Sequence, residues 1–155
     1  ADALQRMREK FDYIFDPWMR PIPGSSRPNV TVQPLEPGVE AVIAGMRVLP
    51  LRFSHGPSEV FGYRFGPIAY LTDVKEVPAA ERAKLAGLEV LVLNALFHRS
   101  HPTHLSIPEA VETALAIGAK RTFLTHLTHE TRHADLEAEL PPEVRPAFDG
   151  LVLEA

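Results

Sequence analysis

The chain contains no cysteine. Disulfides and thiolate ligands are therefore excluded, and any metal site must be built from His, Asp and Glu. The same absence fits a reducing compartment, so a cytoplasmic location is expected. No apolar stretch reaches the ~18 residues that a membrane-spanning helix needs. The first residues alternate charged and apolar character, which is not the pattern of a signal peptide. Basic residues are not in excess either: 16 Lys and Arg stand against 20 Asp and Glu, a net charge of -4. No basic run stands out, so neither a membrane nor a nucleic acid is an expected partner. What remains is the composition of an ordinary globular protein, 45% hydrophobic and 23% charged, and its 155 residues are enough for one domain with a core.

Proline and histidine are what the sequence does have, with 15 and 7 residues respectively. Leu4, Met7, Phe11, Ile14 and Phe15 recur at helical spacing, and a helix is expected over Asp2 to Tyr13. The chain thus begins without Met inside a helical pattern, which suggests a fragment. Prolines 17, 21, 23 and 28 mark a loop. Val30 to Pro34 and Val39 to Ile43 read as short extended runs. Ala44-Gly45 turns the chain into Met46 to Phe53, where Pro50 suggests an edge position. Phe61 to Phe65 and Ile68 to Thr72 form a hairpin around Gly66-Pro67. A short helix is expected from Pro78 to Ala86, then a strand buried on both faces from Leu88 to Asn94. Ser106 and Glu109 form a capping box for a helix ending at Gly118. Arg121 to Thr125 reads as a strand, Thr131 to Glu139 as a helix and Leu151 to Glu154 as a last strand. The whole reads as one α/β unit, a sheet covered by helices on one side.

The histidines matter through their placement. His55, Asp73 and His126 each follow the C-terminal end of a separate apolar run. In layered α/β folds such ends gather at one edge, where ligands bind, and His, Asp and His together suit Zn, Mn or Fe. A lone His at a strand end is commonly a surface residue, and Asp73 could simply cap a turn. Three such placements in one chain weigh against coincidence. His98, His101 and His104 share a loop leading into the capped helix, whose free amides favour anions. A His there could protonate a leaving oxygen, or the loop could merely cap the helix. His129 and His133 lie four apart and could share a helix face, although without the Glu of a zincin motif the pair is weak as a metal signal; surface or supporting roles are expected for both.

Four segments, Phe53-Ser54-His55, Tyr70-Leu71-Thr72-Asp73, His101-Pro102-Thr103-His104-Leu105-Ser106 and Leu124-Thr125-His126-Leu127-Thr128-His129, resemble in order and spacing the later motifs of metallo-β-lactamase-fold hydrolases. The closest likeness is to the cyclic phosphodiesterases associated with carbon–phosphorus lyase. Phe148-Asp149-Gly150-Leu151 and Phe11-Asp12-Tyr13-Ile14-Phe15 also fit that branch. The resemblance implies an α/β fold that is the C-terminal part of a four-layer αββα metallo-β-lactamase fold. It implies metal ligation by His55, Asp73 and His126, with Asp73 bridging two divalent ions, Zn or Mn, and a catalytic role for His104 at the scissile phosphate. The substrate implied is a small or cyclic phosphodiester. A tRNA 3′-end-processing nuclease of the same fold is the alternative, and a non-catalytic half is a third. The family's first motif, HxHxDH, is absent from these residues. Residues 1–155 are therefore expected to be a single, incomplete domain lacking its N-terminal strands, inactive by itself and reliant on a missing N-terminal segment or a second copy.

Overall fold

The computed structural model describes residues 2–153. The chain divides into two compact units, Ala1–Glu36 and Pro37–Ala155. The first holds α1 (Asp2–Lys10) and α2 (Asp12–Phe15). The helix expected over this stretch is thus broken at Phe11, whose φ of -121° and ψ of 46° are not helical. The proline-rich residues after it form no strand, and Val30 to Pro34, expected to be extended, pairs with nothing recorded as a ladder. No described residue of this unit is buried.

The second unit is built on one sheet of seven strands in sequence order. These are β1 (Ala41–Ile43), β2 (Met46–His55), β3 (Ser58–Phe65), β4 (Ile68–Leu71), β5 (Val90–Asn94), β6 (Arg121–Thr125) and β7 (Val144–Pro146). Strands β1 to β4 pair antiparallel through tight turns, and β4 to β7 pair parallel. Parallel neighbours need crossovers. Helices α3 (Ala79–Ala83), α4 (Ile107–Ile117) and α5 (His133–Glu139) lie in those crossovers. The capping box of α4 forms as expected: Ser106 Oγ accepts from Glu109 N, Glu109 takes the Ser106 amide, and Gly118 closes the helix in the left-handed region.

Residues opposite one another across a ladder share a face of the sheet. The register therefore puts Leu51, Phe53, Ala69, Leu71, Leu91, Leu93, Leu124 and Val144 on one face. These form a single core with Leu105, Ile107, Ala110, Ala114 and Ile117 around α4 and with Leu136 and Leu140 of the α5 region. Gly62 lies on this face too; a Cβ there would overlap Leu71 Cδ2 and stand 2.8 Å from Phe53 Cε2, so the core closes only over a glycine.

Three expectations need correction. β2 is not an edge strand, since it lies between β1 and β3. Pro50 is nonetheless harmless, because β1 reaches only as far as Val48 and the Pro50 carbonyl accepts from Gly38 N on that vacated side. The last strand is Val144–Pro146, not Leu151 to Glu154; Leu151–Leu153 has no regular structure and Glu154 lies outside the described residues. Val152 is 84% exposed, whereas Val144 is fully buried against β6, so burial settled which apolar segment joined the sheet. His129 and His133 do not share a helix face: α5 starts at His133 after an extended Arg132, and His129 is in the preceding turn.

Candidate metal centre

Strand direction explains why the site residues meet. β3 runs against both β2 and β4, and β4, β5 and β6 run together. The C-terminal ends of β2, β4, β5 and β6 therefore lie along one edge of the sheet. His55 is the last residue of β2, Asp73 follows β4 by two residues, Asn94 ends β5 and His126 follows β6. His126 has a φ of 65°, a left-handed conformation uncommon for a side-chain-bearing residue. Such strain collects at functional positions.

The expected site residues come together. Asp73 Oδ1 lies 3.5 Å from His104 Nε2 and 3.5 Å from His126 Nε2. The His104 ring centroid is 4.5 Å from that of His55 and 4.6 Å from that of His126. Ligand atoms of His55, Asp73 and His104 all lie within 4.8 Å of one another. The tightest group thus contains His104, for which the sequence suggested catalysis, while His126 closes the ring of side chains through Asp73. His101 joins as a neighbour, its ring 5.3 Å from that of His104. The remaining three histidines stay outside. His98 binds the Glu139 carboxylate at 2.8 Å, His133 stands edge-on to Phe148, and His129 is exposed.

Each imidazole is held by a defined partner. His55 Nδ1 meets two backbone carbonyls, Asp73 O at 3.1 Å and Thr103 O at 3.0 Å. A carbonyl only accepts, so Nδ1 carries the proton and Nε2 is left with a free lone pair. This is the outer-shell arrangement that orients a ligating His. Gly56 makes it attainable, because a Cβ there would stand 2.7 Å from Thr103 Cγ2. His104 Nδ1 meets Thr103 Oγ1 at 2.9 Å. Its Nε2 is buried without a hydrogen-bond partner, since 3.5 Å to Asp73 is an ion-pair distance too long for a directed hydrogen bond. Burial, then the nearby His126 and His55, hold the His104 imidazole below its ordinary pKa, with Asp73 opposing. For Asp73, burial pushes the carboxyl up, but the Thr72 hydroxyl together with His104 and His126 outweighs it and brings it below the usual carboxylate range.

A chain of hydrogen bonds underlies this edge. Val74 N donates to Asn94 Oδ1 at 2.8 Å, Leu105 N to Val74 O at 3.0 Å, Leu96 N to Leu105 O at 2.9 Å and Thr128 N to Leu96 O at 3.1 Å. Glu109 adds a second anchor below His104: it takes both Lys75 Nζ, at 2.8 and 2.9 Å, and the Ser106 amide. Sequence reading gave no role to Asn94 or Thr72. A polar residue closing an apolar run was the only available signal for Asn94. Beside His126 opens a cavity of about 310 Å³ lined by Thr125, Leu127, Ala147, Phe148 and Asp149.

An all-N,O set of His55, Asp73 and His126 fits a divalent cation such as Zn or Mn. The free lone pair of His55 Nε2 is a donor that a cation would satisfy, and the buried, unpartnered His104 Nε2 lies beside the same carboxylate.

Comparison with known proteins agrees with this fold. A crystal structure of a diphosphatase from the PhnP family superposes with a TM-score of 0.84 at 33% identity, over 98% of this chain and 55% of that one. The metallo-β-lactamase-fold protein YhfI from Bacillus subtilis shares the fold, with a TM-score of 0.66 at 22% identity over 78% of this chain and 54% of that one. A protein of Porphyromonas gingivalis named octanoyltransferase is 34% identical over 155 residues, which is 97% of this chain but only 30% of that protein. The chain therefore spans about half the length of the diphosphatase and under a third of the octanoyltransferase. No helix among the described residues is long and apolar enough to cross a membrane. The model of the β-lactamase superfamily domain matches residues 1–127, and with the sheet and the strand-end histidines in place the chain belongs to that superfamily and has the metallo-β-lactamase fold.

Proposed function

We propose that this chain forms part of a metal-dependent hydrolase that cleaves small phosphodiesters, cyclic ones included. The observation that carries the reading is the convergence of His104 and His126 on Asp73 Oδ1, each at 3.5 Å, with His55 alongside. The likeness to a PhnP-family diphosphatase over 98% of the chain supports a phosphorus-centred substrate.

In this reading His55, Asp73 and His126 would hold divalent cations, Zn or Mn. Such ions supply Lewis acidity toward phosphate oxygens and lower the pKa of water. The chain's own side chains do the rest. His55 is kept in the ligating tautomer by two carbonyls. With Thr103 Oγ1 donating to His104 Nδ1, the proton of His104 sits on Nε2, facing the site. A neutral imidazole is favoured by burial there, and it can donate to an anionic oxygen as charge builds on the leaving group. It acts as a hydrogen-bond donor to the developing charge, without giving up its proton, and such a donor contributes about 10²–10³-fold. The cavity beside His126 gives room for the rest of a small substrate. Two ions require more donors than these side chains offer, and the remainder come from outside these residues, so the chain alone binds cations weakly and turns over little substrate.

The test is hydrolysis of bis(p-nitrophenyl) phosphate with Mn²⁺ or Zn²⁺, run on this chain and on the longest natural polypeptide that contains it. Asp73→Asn in the longer protein is expected to lower kcat by more than the ~10–100-fold typical of losing an outer-shell partner. Undiminished turnover in that variant would remove Asp73 from the metal site and the proposal with it.

A further inference from the structure

We infer that Asn94 is the positioning residue of the site: its carboxamide fixes the turn that presents Asp73 to His104 and His126. The inference rests on the metal-site reading for its functional meaning, but its geometry stands alone.

The β4–β5 ladder ends at the pair Leu71 and Leu93. Past that point the chain after β4 leaves β5, and Lys75 N donates instead to Ser54 O of β2 at 2.9 Å. Asn94 is the next residue of β5, and its side chain takes over from the ladder. Oδ1 accepts from Val74 N at 2.8 Å, immediately beside Asp73. Asn94 is fully buried, so water cannot replace that acceptor without rearrangement. Val74 then passes the constraint on. Its carbonyl accepts from Leu105 N, next to His104; the Leu105 carbonyl accepts from Leu96 N; and the Leu96 carbonyl accepts from Thr128 N, two residues beyond His126. The Asp73 carbonyl itself helps to hold His55 Nδ1. Every member of the site is therefore within two residues of this chain of bonds or bonded to the turn it fixes, and Asn94 is its side-chain link.

A second observation argues that the residue is not there for stability. Asn94 Nδ2 is buried with no hydrogen-bond partner. A buried amide that satisfies only its oxygen is a costly way to end a core strand. The oxygen is what the position requires.

The test compares Asn94→Leu, Asn94→Asp and, as a control for stability alone, Leu136→Ala, which removes a 1% exposed core side chain under α5. Co²⁺ is titrated into each while its visible absorption is followed, and amide exchange at Val74 is read by NMR. Asn94→Leu is expected to weaken Co²⁺ binding at least about 10-fold and to speed exchange at Val74 by a similar factor. Asn94→Asp keeps the acceptor, and should bind Co²⁺ at least as well as within about 3-fold of the parent with Val74 protected. Leu136→Ala should lower Tm yet leave the affinity in place. A smaller loss in Asn94→Leu, a failure of Asn94→Asp to rescue, or an equal loss in Leu136→Ala overturns the inference. If Asn94→Leu does not fold, Asn94→Ser, too short to reach Val74 N, replaces it under the same criteria. If the parent chain binds Co²⁺ too weakly to give a spectrum, the metal reading is decided by the Asp73→Asn assay on the longer protein. The positioning role is then decided by Val74 exchange and by the NOEs between the His104 and His126 rings, which Asn94→Leu must lose and Leu136→Ala must keep.

Discussion

On one face of the sheet Leu51, Ala69, Leu71, Leu91, Leu93 and Leu124 are fully covered. On the other, Phe61, Tyr63, Phe65 and Tyr70 come from the same strands, yet Phe61 is 37% and Tyr70 48% exposed. The difference is not in how apolar the side chains are. It lies in what packs above them: α4 and α5 bring Ile107, Ala110, Ala114, Ile117 and Leu136 onto the leucine face, and the small alanines let α4 approach closely. The aromatic rings instead line up along β3, Phe61 to Tyr63 at 6.5 Å and Tyr63 to Phe65 at 6.3 Å between centroids. Both faces are covered toward β5 and β6, with Val90 at 1% and Phe123 at 9% exposure, and on β2, where Val48 is 3% exposed and Pro50 is buried beside Tyr63. Cover on the second face is thus uneven, least over β3 and β4, and three of the strands that end at the site, β2, β5 and β6, are covered on both. That is where side chains can be held still.

The largest effect expected from this comparison is on the leucine face. Leu91 is fully buried in the centre of the sheet. Leu91→Ala should cost about 2–5 kcal/mol, the lost transfer energy plus that of the cavity left behind. Urea unfolding followed by circular dichroism reads it directly, and a loss under ~1 kcal/mol would mean that the core under β5 is not packed as described. Gly62→Ala comes next. The added methyl would enter a space already filled by Leu71 and Phe53 and lie 3.2 Å from the Tyr70 carbonyl. Overpacking of this kind costs about 1–3 kcal/mol. A neutral or stabilising result would show that β3 can shift away from the core.

Much of this pattern was legible in residue order, and some was not. The run Leu88 to Asn94 announces a strand covered on both faces, and β5 is its Val90–Asn94 part, past Glu89, where Val90-Leu91-Val92-Leu93 is uninterrupted by a polar residue. The turns at Ala44-Gly45 and Gly66-Pro67 are equally plain, since each holds a glycine in the left-handed region, although Ala44 shares that region at a φ of 50°. β7 was hidden: Val144–Pro146 is short and ends in proline, and only its contact with β6 makes it a strand. The same holds for the edge that carries the site. His55, Asp73 and His126 could be picked out as polar residues ending apolar runs. That His104 lies as near Asp73 as His126 does could not, because it depends on how a loop of several residues folds back from α4. The tautomer of His55 and the use of Asn94 Oδ1 are contacts between segments 18 to 48 residues apart. Sequence order carries no direct trace of them.

The smallest expected effect lies on the aromatic face and bears most directly on the comparison. Tyr70 stands opposite Tyr63 across the β3–β4 ladder. A cross-strand aromatic pair of this kind is worth about 0.2–1 kcal/mol, and threonine supplies a β-branched side chain that suits a half-exposed strand position. Tyr70→Thr should therefore cost less than about 1 kcal/mol, well short of Leu91→Ala. The measurement is the urea midpoint of both variants at several protein concentrations. If Tyr70→Thr matches Leu91→Ala, Tyr70 is covered in solution and the two faces are alike. A midpoint that rises with concentration in the parent but not in Tyr70→Thr would then identify the cover as another copy of the chain. If the midpoint does not move with concentration and the cost stays small, the uneven burial across the sheet belongs to the chain itself, and the aromatic face of β3 and β4 adds little to stability.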